Sequence, residues 1–180
     1  ERETIVREFL DRHKSGTTSI TTGFPDHRRG QGTLREDGSK HCKNLFFRNH
    51  KGDRHYLVCF DCDRSLAIHD LEHRLRQGKL TFASPQRMER YLGLEPGSVS
   101  PFGLINDAEH HVHLFLDRHL QTCDSLSFHP NDCRATVVIS RPESNATSPW
   151  SEIRTNTSTS TTDTSEIRSA VRMKGLSKAV

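Results

Sequence analysis

The sequence predicts an α+β domain, and three observations carry that prediction. Short runs rich in aromatic and β-branched residues recur between residues 41 and 140. Turn-forming segments link them largely as hairpins. Only a few stretches between them carry helical periodicity, so strands dominate and helices are interspersed.

The elements follow in order. Ile5, Val6, Phe9 and Leu10 are spaced for one face of a helix. After His13 the chain runs through Gly, Thr, Ser and Arg with little periodicity and reads as loop. Asn44–Phe47 and Tyr56–Phe60 read as strands, joined by a turn at His50–Arg54 that contains Lys51-Gly52-Asp53. Ile68, Leu71 and Leu75 fit a helix that stops at Gly78. Leu80–Ala83 is a short strand. Ser84 suits a helix cap and Pro85 a first helical position, so Pro85–Leu92 is expected to be helix, ended by Gly93. A turn-rich stretch, Glu95–Gly103, follows. Leu104–Ile105 and Val112–Leu116 flank Asn106-Asp107 as a second hairpin, and Leu116–Leu120 turns into a short helix. Leu126–Phe128 and Ala135–Ile139 are the last strands, around Pro130-Asn131-Asp132.

Composition bounds the rest. Of 180 residues, 32% are hydrophobic and the mean hydropathy is −0.73, both low for a chain packed throughout. Three zones are expected: a helix and irregular segment over 1–40, the domain over 41–140, and a Ser/Thr-rich tail over 141–180. Ser144–Ser165 has Trp150 and Ile153 as nearly its only large apolar groups, too few to offset the entropy of ordering, so disorder is expected there. Residues 43–140 hold 12 Lys/Arg and 12 Asp/Glu, so the net charge of +3 comes from the flanks. That excludes a broad basic footprint for duplex binding, and no DNA partner is expected; a local contact to one RNA end stays open. Five cysteines at irregular spacing make a poor disulfide framework and fit a reducing, cytoplasmic setting. No apolar run approaches the length of a membrane span and no hydrophobic signal segment opens the sequence, so no membrane partner is expected.

Candidate chemistry is quiet. Lys43 directly precedes the apolar run Leu45-Phe46-Phe47. A lysine at a strand mouth can aim its ammonium into a pocket and polarise an ester, although alone it reads as a solvated strand-end residue. The Gly97–Gly103 loop has two glycines and Pro101, so its amides are uncrowded and could hold a carbonyl or phosphate oxygen; the plainer reading is a connection. His129, in the turn before Pro130, could meet a ribose hydroxyl or act as acid or base, or be structural. Cys59-x-x-Cys62 has no second pair to complete a zinc site and sits at a strand end, unlike redox motifs. His110, His111 and His113 lack a completing carboxylate or Cys pattern and read as a solvent-facing hairpin. No metal and no cofactor are expected. A serine-hydrolase elbow, a Walker loop, a dinucleotide fingerprint and an HExxH helix are all absent.

Several segments, in order, carry a more specific signal. Cys42-Lys43-Asn44-Leu45-Phe46-Phe47-Arg48 resembles the KNLFLRD signature of the YbaK/ProX superfamily of aminoacyl-tRNA deacylases. Leu80–Ser84, Leu92–Asp107, Phe128–Asp132 and Ala135–Val137 resemble the same family, within its free-standing prolyl-tRNA synthetase-associated subgroup. The likeness covers about residues 33–140. Upstream, Gly23–Gly32 keeps only fragments of the family's usual pocket-wall segment, and the Ser/Thr-rich tail stands where the family has a helix and a strand.

The resemblance implies a mixed, largely antiparallel, barrel-like sheet with flanking helices. It implies a trans-editing hydrolase that cleaves the ester of mischarged tRNA, most simply Ala-tRNA(Pro). It places Lys43 as the catalytic residue, and Asn44, Gly97, Ser98, Val99, Ser100, Pro101, Phe102, Gly103 and His129 as substrate-binding. The implied partners are the aminoacyl-tRNA acceptor end and, beside it, prolyl-tRNA synthetase. The reading from another class is a non-catalytic tRNA- or synthetase-binding module on the same fold.

Overall fold

Every residue of the strand His55–Asp61 is buried, as befits a strand covered on both faces. The computed structural model describes residues 2–12, 18–22 and 39–140. Its elements are α1 (Arg2–Arg12), β1 (Thr18–Thr22), β2 (Lys40–Arg48), β3 (His55–Asp61), α2 (Ile68–Leu75), β4 (Thr81–Phe82), α3 (Pro85–Leu92), β5 (Val112–Leu116), β6 (Ser125–Phe128) and β7 (Ala135–Ser140). Two 3-10 helices, Pro101–Asn106 and Arg118–Thr122, flank β5.

The strands run in the order β1-β7-β6-β2-β3-β5, with β4 also on β2. The β1–β7, β6–β7, β2–β3 and β2–β4 pairs are antiparallel, and β2–β6 and β3–β5 are parallel. The sheet is therefore mixed and largely antiparallel. Among the described residues its path ends at β1 and β5 without closing, so it is an open sheet and not a full barrel.

Strand alternation divides the core in two. Phe46 and Leu57 are paired across β2 and β3 and share one face. They join Val6, Phe9 and Leu10 of α1 and Met88 and Leu92 of α3. Phe47 and Tyr56, the next pair, face the other way, with Val58, Phe60, Phe115 and Leu71 of α2. Helices thus cover both faces of β3, and α1 packs into the same core as the central strands.

Helix α3 has the expected bounds because both of its ends are local chemistry. Ser84 Oγ accepts the Arg87 N–H at 3.4 Å, Pro85 opens the first turn, and Gly93 caps the end. Other expectations need correction. The segment after His13 holds β1, which exists by pairing with β7 from Thr18↔Ile139 to Thr22↔Ala135. Leu104–Ile105 is not a strand but part of a 3-10 helix whose start Ser100 caps. Helix α2 ends at Leu75, not at Gly78, because Arg76 takes the left-handed cap and donates its N–H to the Glu72 carbonyl at 3.1 Å. His111 and His113 are half-buried, not solvent-facing. His111 stacks on Tyr91 at 4.3 Å, and its Nε2 lies 2.8 Å from Nδ1 of the buried His55. His113 stacks on Tyr56 at 5.5 Å.

The pocket-wall reading of Gly23–Gly32 and the disorder expected over 141–180 lie outside the described residues. Among those residues, no helix is long and apolar enough to cross a membrane.

Candidate functional site

Strand β2 has one edge that is only partly paired. Toward β3 it is paired from Cys42 to Arg48. On the other side it meets β6 at Lys40 and His41, and β4 at Phe47 and Arg48. Among the described residues, no strand pairs with residues 42–46 on that side, between these two contacts. Ala83 donates its N–H to the Phe46 carbonyl at 2.9 Å, so the backbone groups of Phe46 point to this side. Backbone direction alternates along a strand, so those of Asn44 point the same way, into the gap.

A cavity of about 540 Å³ occupies the gap. His41 to Phe46 form its strand wall. Pro96, Gly97 and Val99 form a loop wall, Phe82, Ala83, Pro85 and Met88 a third side, and His129 closes one corner. The structure therefore brings Lys43, Asn44, Gly97, Val99 and His129 to one place, although up to 86 residues separate them in the chain.

Alternation sends Lys43 and Asn44 to opposite faces. Lys43 is exposed and shares a face with Leu45 and Phe47. Asn44 is half-buried and donates Nδ2 to the Val99 carbonyl at 3.1 Å. That bond fixes the amide's orientation and leaves Oδ1, which is buried and has no partner, as an acceptor beside the cavity. Such an acceptor costs stability unless a ligand or water donor meets it.

The remaining predicted residues hold the loop and do not line the cavity. Ser98 Oγ accepts the Cys133 N–H at 3.2 Å, which ties the loop to the turn after His129. Ser100 is fully buried and its Oγ accepts the Phe102 N–H at 3.3 Å. Pro101 and Phe102 are buried, with Phe102 edge-on to Phe128 at 6.3 Å and its carbonyl accepting from Asn131 Nδ2 at 3.3 Å. Gly103 is packed so closely that a Cβ there would stand 2.7 Å from Leu94 Cδ1 and 3.3 Å from the Leu92 carbonyl oxygen. Gly97, at φ +90°, is the position where the loop needs a left-handed backbone.

His129 places Nδ1 3.0 Å from the Ala135 carbonyl. A carbonyl only accepts, so Nδ1 carries the proton and Nε2 is the acceptor of the neutral ring. His41 stands edge-on to it at 6.3 Å. Sequence reasoning missed His41, Phe82, Pro85 and Met88 as cavity residues. Period-2 alternation from Lys43 could have found His41; the other three reach the cavity only through folding.

Thiol chemistry is suppressed here. Burial, then the neighbouring Cys59 and Asp61, push the Cys42 thiol well above its usual range. Burial likewise raises Cys59, and burial with Asp63 and Asp61 raises Cys62. All five cysteines are free thiols. Among the described residues, Asp61, Cys62 and Asp63 bring possible ligand atoms within 4.8 Å of one another. The ammonium of Lys40 lies 3.7 Å from both carboxylates and already answers their charge.

The model of the aminoacyl-tRNA editing domain family matches residues 29–144. The chain is similar to the prolyl-tRNA editing protein ProX of Acetoanaerobium sticklandii, with 44% identity over 98 residues, covering 54% of this chain and 60% of that protein. It is also similar to prolyl-tRNA synthetase associated domain-containing protein 1 of Danio rerio, with 38% identity over 78 residues, covering 43% of this chain and 42% of that protein. The chain thus spans three fifths or less of the length of these curated relatives. The crystal structure of a candidate trans-editing enzyme for prolyl tRNA synthetase superposes with a TM-score of 0.60 at 21% identity, over 77% of this chain and 86% of the other. At that identity the likeness establishes the fold.

Proposed function

Since the chain belongs to the aminoacyl-tRNA editing domain family, we propose that it is a trans-editing deacylase that hydrolyses the ester of mischarged tRNA, with Ala-tRNA(Pro) as substrate. The observation that carries this reading is the convergence of Lys43, Asn44, Gly97, Val99 and His129 on one cavity at the open edge of β2. The name of the Acetoanaerobium relative, a prolyl-tRNA editing protein, points to the same substrate class.

Chemistry at this cavity favours direct attack by water. An ester needs its carbonyl oxygen stabilised as negative charge develops. The ammonium of Lys43 and the N–H group of Asn44 at the strand edge are donors available for that. Water adds to the carbonyl carbon, the bond to the ribose oxygen breaks, and the proton lost by water ends on that oxygen, relayed by the neighbouring ribose hydroxyl. Free amino acid and uncharged tRNA result. The cavity thiol, Cys42, is held protonated by burial, so it is a poor nucleophile. No nucleophilic side chain is required.

The division of labour has a physical basis. A synthetase pocket shaped for proline discriminates weakly against a smaller apolar amino acid. A second, smaller site can accept alanine and reject proline on size. The partners are accordingly the acceptor end of charged tRNA and, beside it, prolyl-tRNA synthetase.

The test is deacylation of Ala-tRNA(Pro) against Pro-, Ser- and Cys-charged controls, by wild type and Lys43→Ala. Wild type is expected to prefer the Ala ester, and Lys43→Ala to lose roughly a hundredfold or more in rate. Full activity in Lys43→Ala would falsify the assignment of that residue. tRNA binding with no hydrolysis by wild type assigns the chain instead as a non-catalytic tRNA- or synthetase-binding module.

A further inference from the structure

We infer that Phe82 is the platform on which the terminal adenine of the tRNA stacks, an inference that rests on the acceptor end being the ligand. Phe82 lines the cavity yet keeps 66% of its surface exposed. Among the described residues it shares that state only with Ile5, as a large hydrophobic left in solvent. Covering such a ring would remove apolar surface from water, at about 25 cal/mol per Å².

The ring is exposed but held. Phe82 pairs with Phe47 across β4 and β2, and the two rings stack with centroids 4.9 Å apart and an angle of 25° between planes. Phe47 itself is 1% exposed and anchored in the second core. One face of Phe82 is thus backed by a fixed ring, and the exposed side is a flat apolar surface. Bases freed from a duplex are recognised by stacking on such surfaces, because every base presents a π-face.

Its place relative to the proposed chemistry fits the same ligand. Directly paired residues share a face, so Phe82 lies on the face of β2 that carries Phe47, Leu45 and Lys43. Lys43 is four residues from Phe47, about 13 Å along the strand. An adenosine with its ester-linked amino acid spans such a gap, with the ester at Lys43 and the base at the rim. Phe82 is in this scheme a positioning residue; it does not touch the scissile bond.

The experiment uses tRNA whose terminal adenine is replaced by 2-aminopurine, a fluorophore quenched by stacking. Wild type is expected to quench it on binding, Phe82→Ala to lose the quench, and Phe82→Tyr to keep it. With Ala-tRNA(Pro), Phe82→Ala is expected to raise KM roughly tenfold to a hundredfold with kcat little changed, and Phe82→Tyr to stay near wild type. A Phe82→Ala protein that binds and quenches like wild type overturns the inference. So does a loss in kcat alone at unchanged KM, which marks a role in shaping the cavity, and so does wild type that binds without any quench. If wild type quenches but hydrolyses nothing, the deacylase reading fails and the platform stands. If Lys43-dependent hydrolysis persists and Phe82→Ala is silent, only the platform fails.

Discussion

The side-chain amide of Asn44 donates to the Val99 carbonyl at 3.1 Å and so joins the strand wall of the cavity to its loop wall. Removing it has two separable consequences. Asn44→Ala gives up one hydrogen bond and is expected to cost about 1 kcal/mol of stability. It also frees the loop and deletes the unpartnered Oδ1 acceptor, so deacylation is expected to fall at least tenfold, more than the stability loss explains. Urea denaturation beside single-turnover deacylation measures both. A variant equally active and merely less stable would reduce Asn44 to a structural tie.

The loop's two glycines are expected to respond differently to a methyl group. Gly103→Ala drives a Cβ to 2.7 Å from Leu94 Cδ1 and 3.1 Å from Leu92 Cβ. Such overpacking typically costs about 1–3 kcal/mol. Gly97→Ala meets no atom within 4 Å but must hold φ near +90°, a backbone penalty of about 1–2 kcal/mol. Since Gly97 lines the cavity and Gly103 does not, Gly97→Ala should also raise KM, whereas Gly103→Ala should lower the melting temperature and leave KM alone. Paired melts and steady-state kinetics separate the two.

What could be read from the chain depended on how local the cause was. Helix α3 was legible to the residue because Ser84, Pro85 and Gly93 act within the helix itself. Strand β1 was not, because Thr18–Thr22 has no strong pattern of its own and is a strand through β7, more than a hundred residues away. Leu104–Ile105 looks like a strand by composition, but Pro101 and the Ser100 cap turn it into a 3-10 helix. At the site, Lys43, Asn44, Gly97, Val99 and His129 stood in motifs that the chain spells out. Met88 carries no motif, and the family-like segment Leu80–Ser84 gives Phe82 no place at the site. They reach the cavity because β4 pairs with the end of β2 and α3 starts immediately after.

Cys42 lines the cavity beside Lys43 and is the thiol that a covalent mechanism would recruit. It is 4% exposed and its pKa is raised by burial first, so at neutral pH it is not a thiolate. Cys42→Ala is expected to keep deacylation within about threefold and to cost about 1 kcal/mol for the small volume lost. A hydroxylamine-sensitive aminoacyl-enzyme, trapped with wild type and absent from Cys42→Ala, would sink the water-attack route.

His55 makes stability depend on pH through an arrangement fixed by donors. A guanidinium can only donate, so Arg87 Nη1, 2.9 Å away, requires His55 Nε2 to accept. Nδ1 then carries the proton and gives it to His111 Nε2 at 2.8 Å. A second proton on His55 would have to sit against Arg87. Burial, then His111 and Arg87, with a smaller push from Arg48 and a slight counter-effect from Asp53, hold its pKa down to about 4. In the unfolded chain the same ring titrates near 6.5. Between these values the unfolded state binds a proton that the folded state refuses. Stability is therefore whole above about pH 6.5 and declines as pH falls toward 4, by roughly 2–3 kcal/mol from this residue. Carboxylates add their own acid dependence, so the test is a difference. His55→Gln can still accept from Arg87 and donate to His111, yet it cannot titrate. Denaturation from pH 7.5 to 4 should show a shallower decline in the variant than in wild type. Parallel curves would mean that His55 takes up its proton without disturbing the fold.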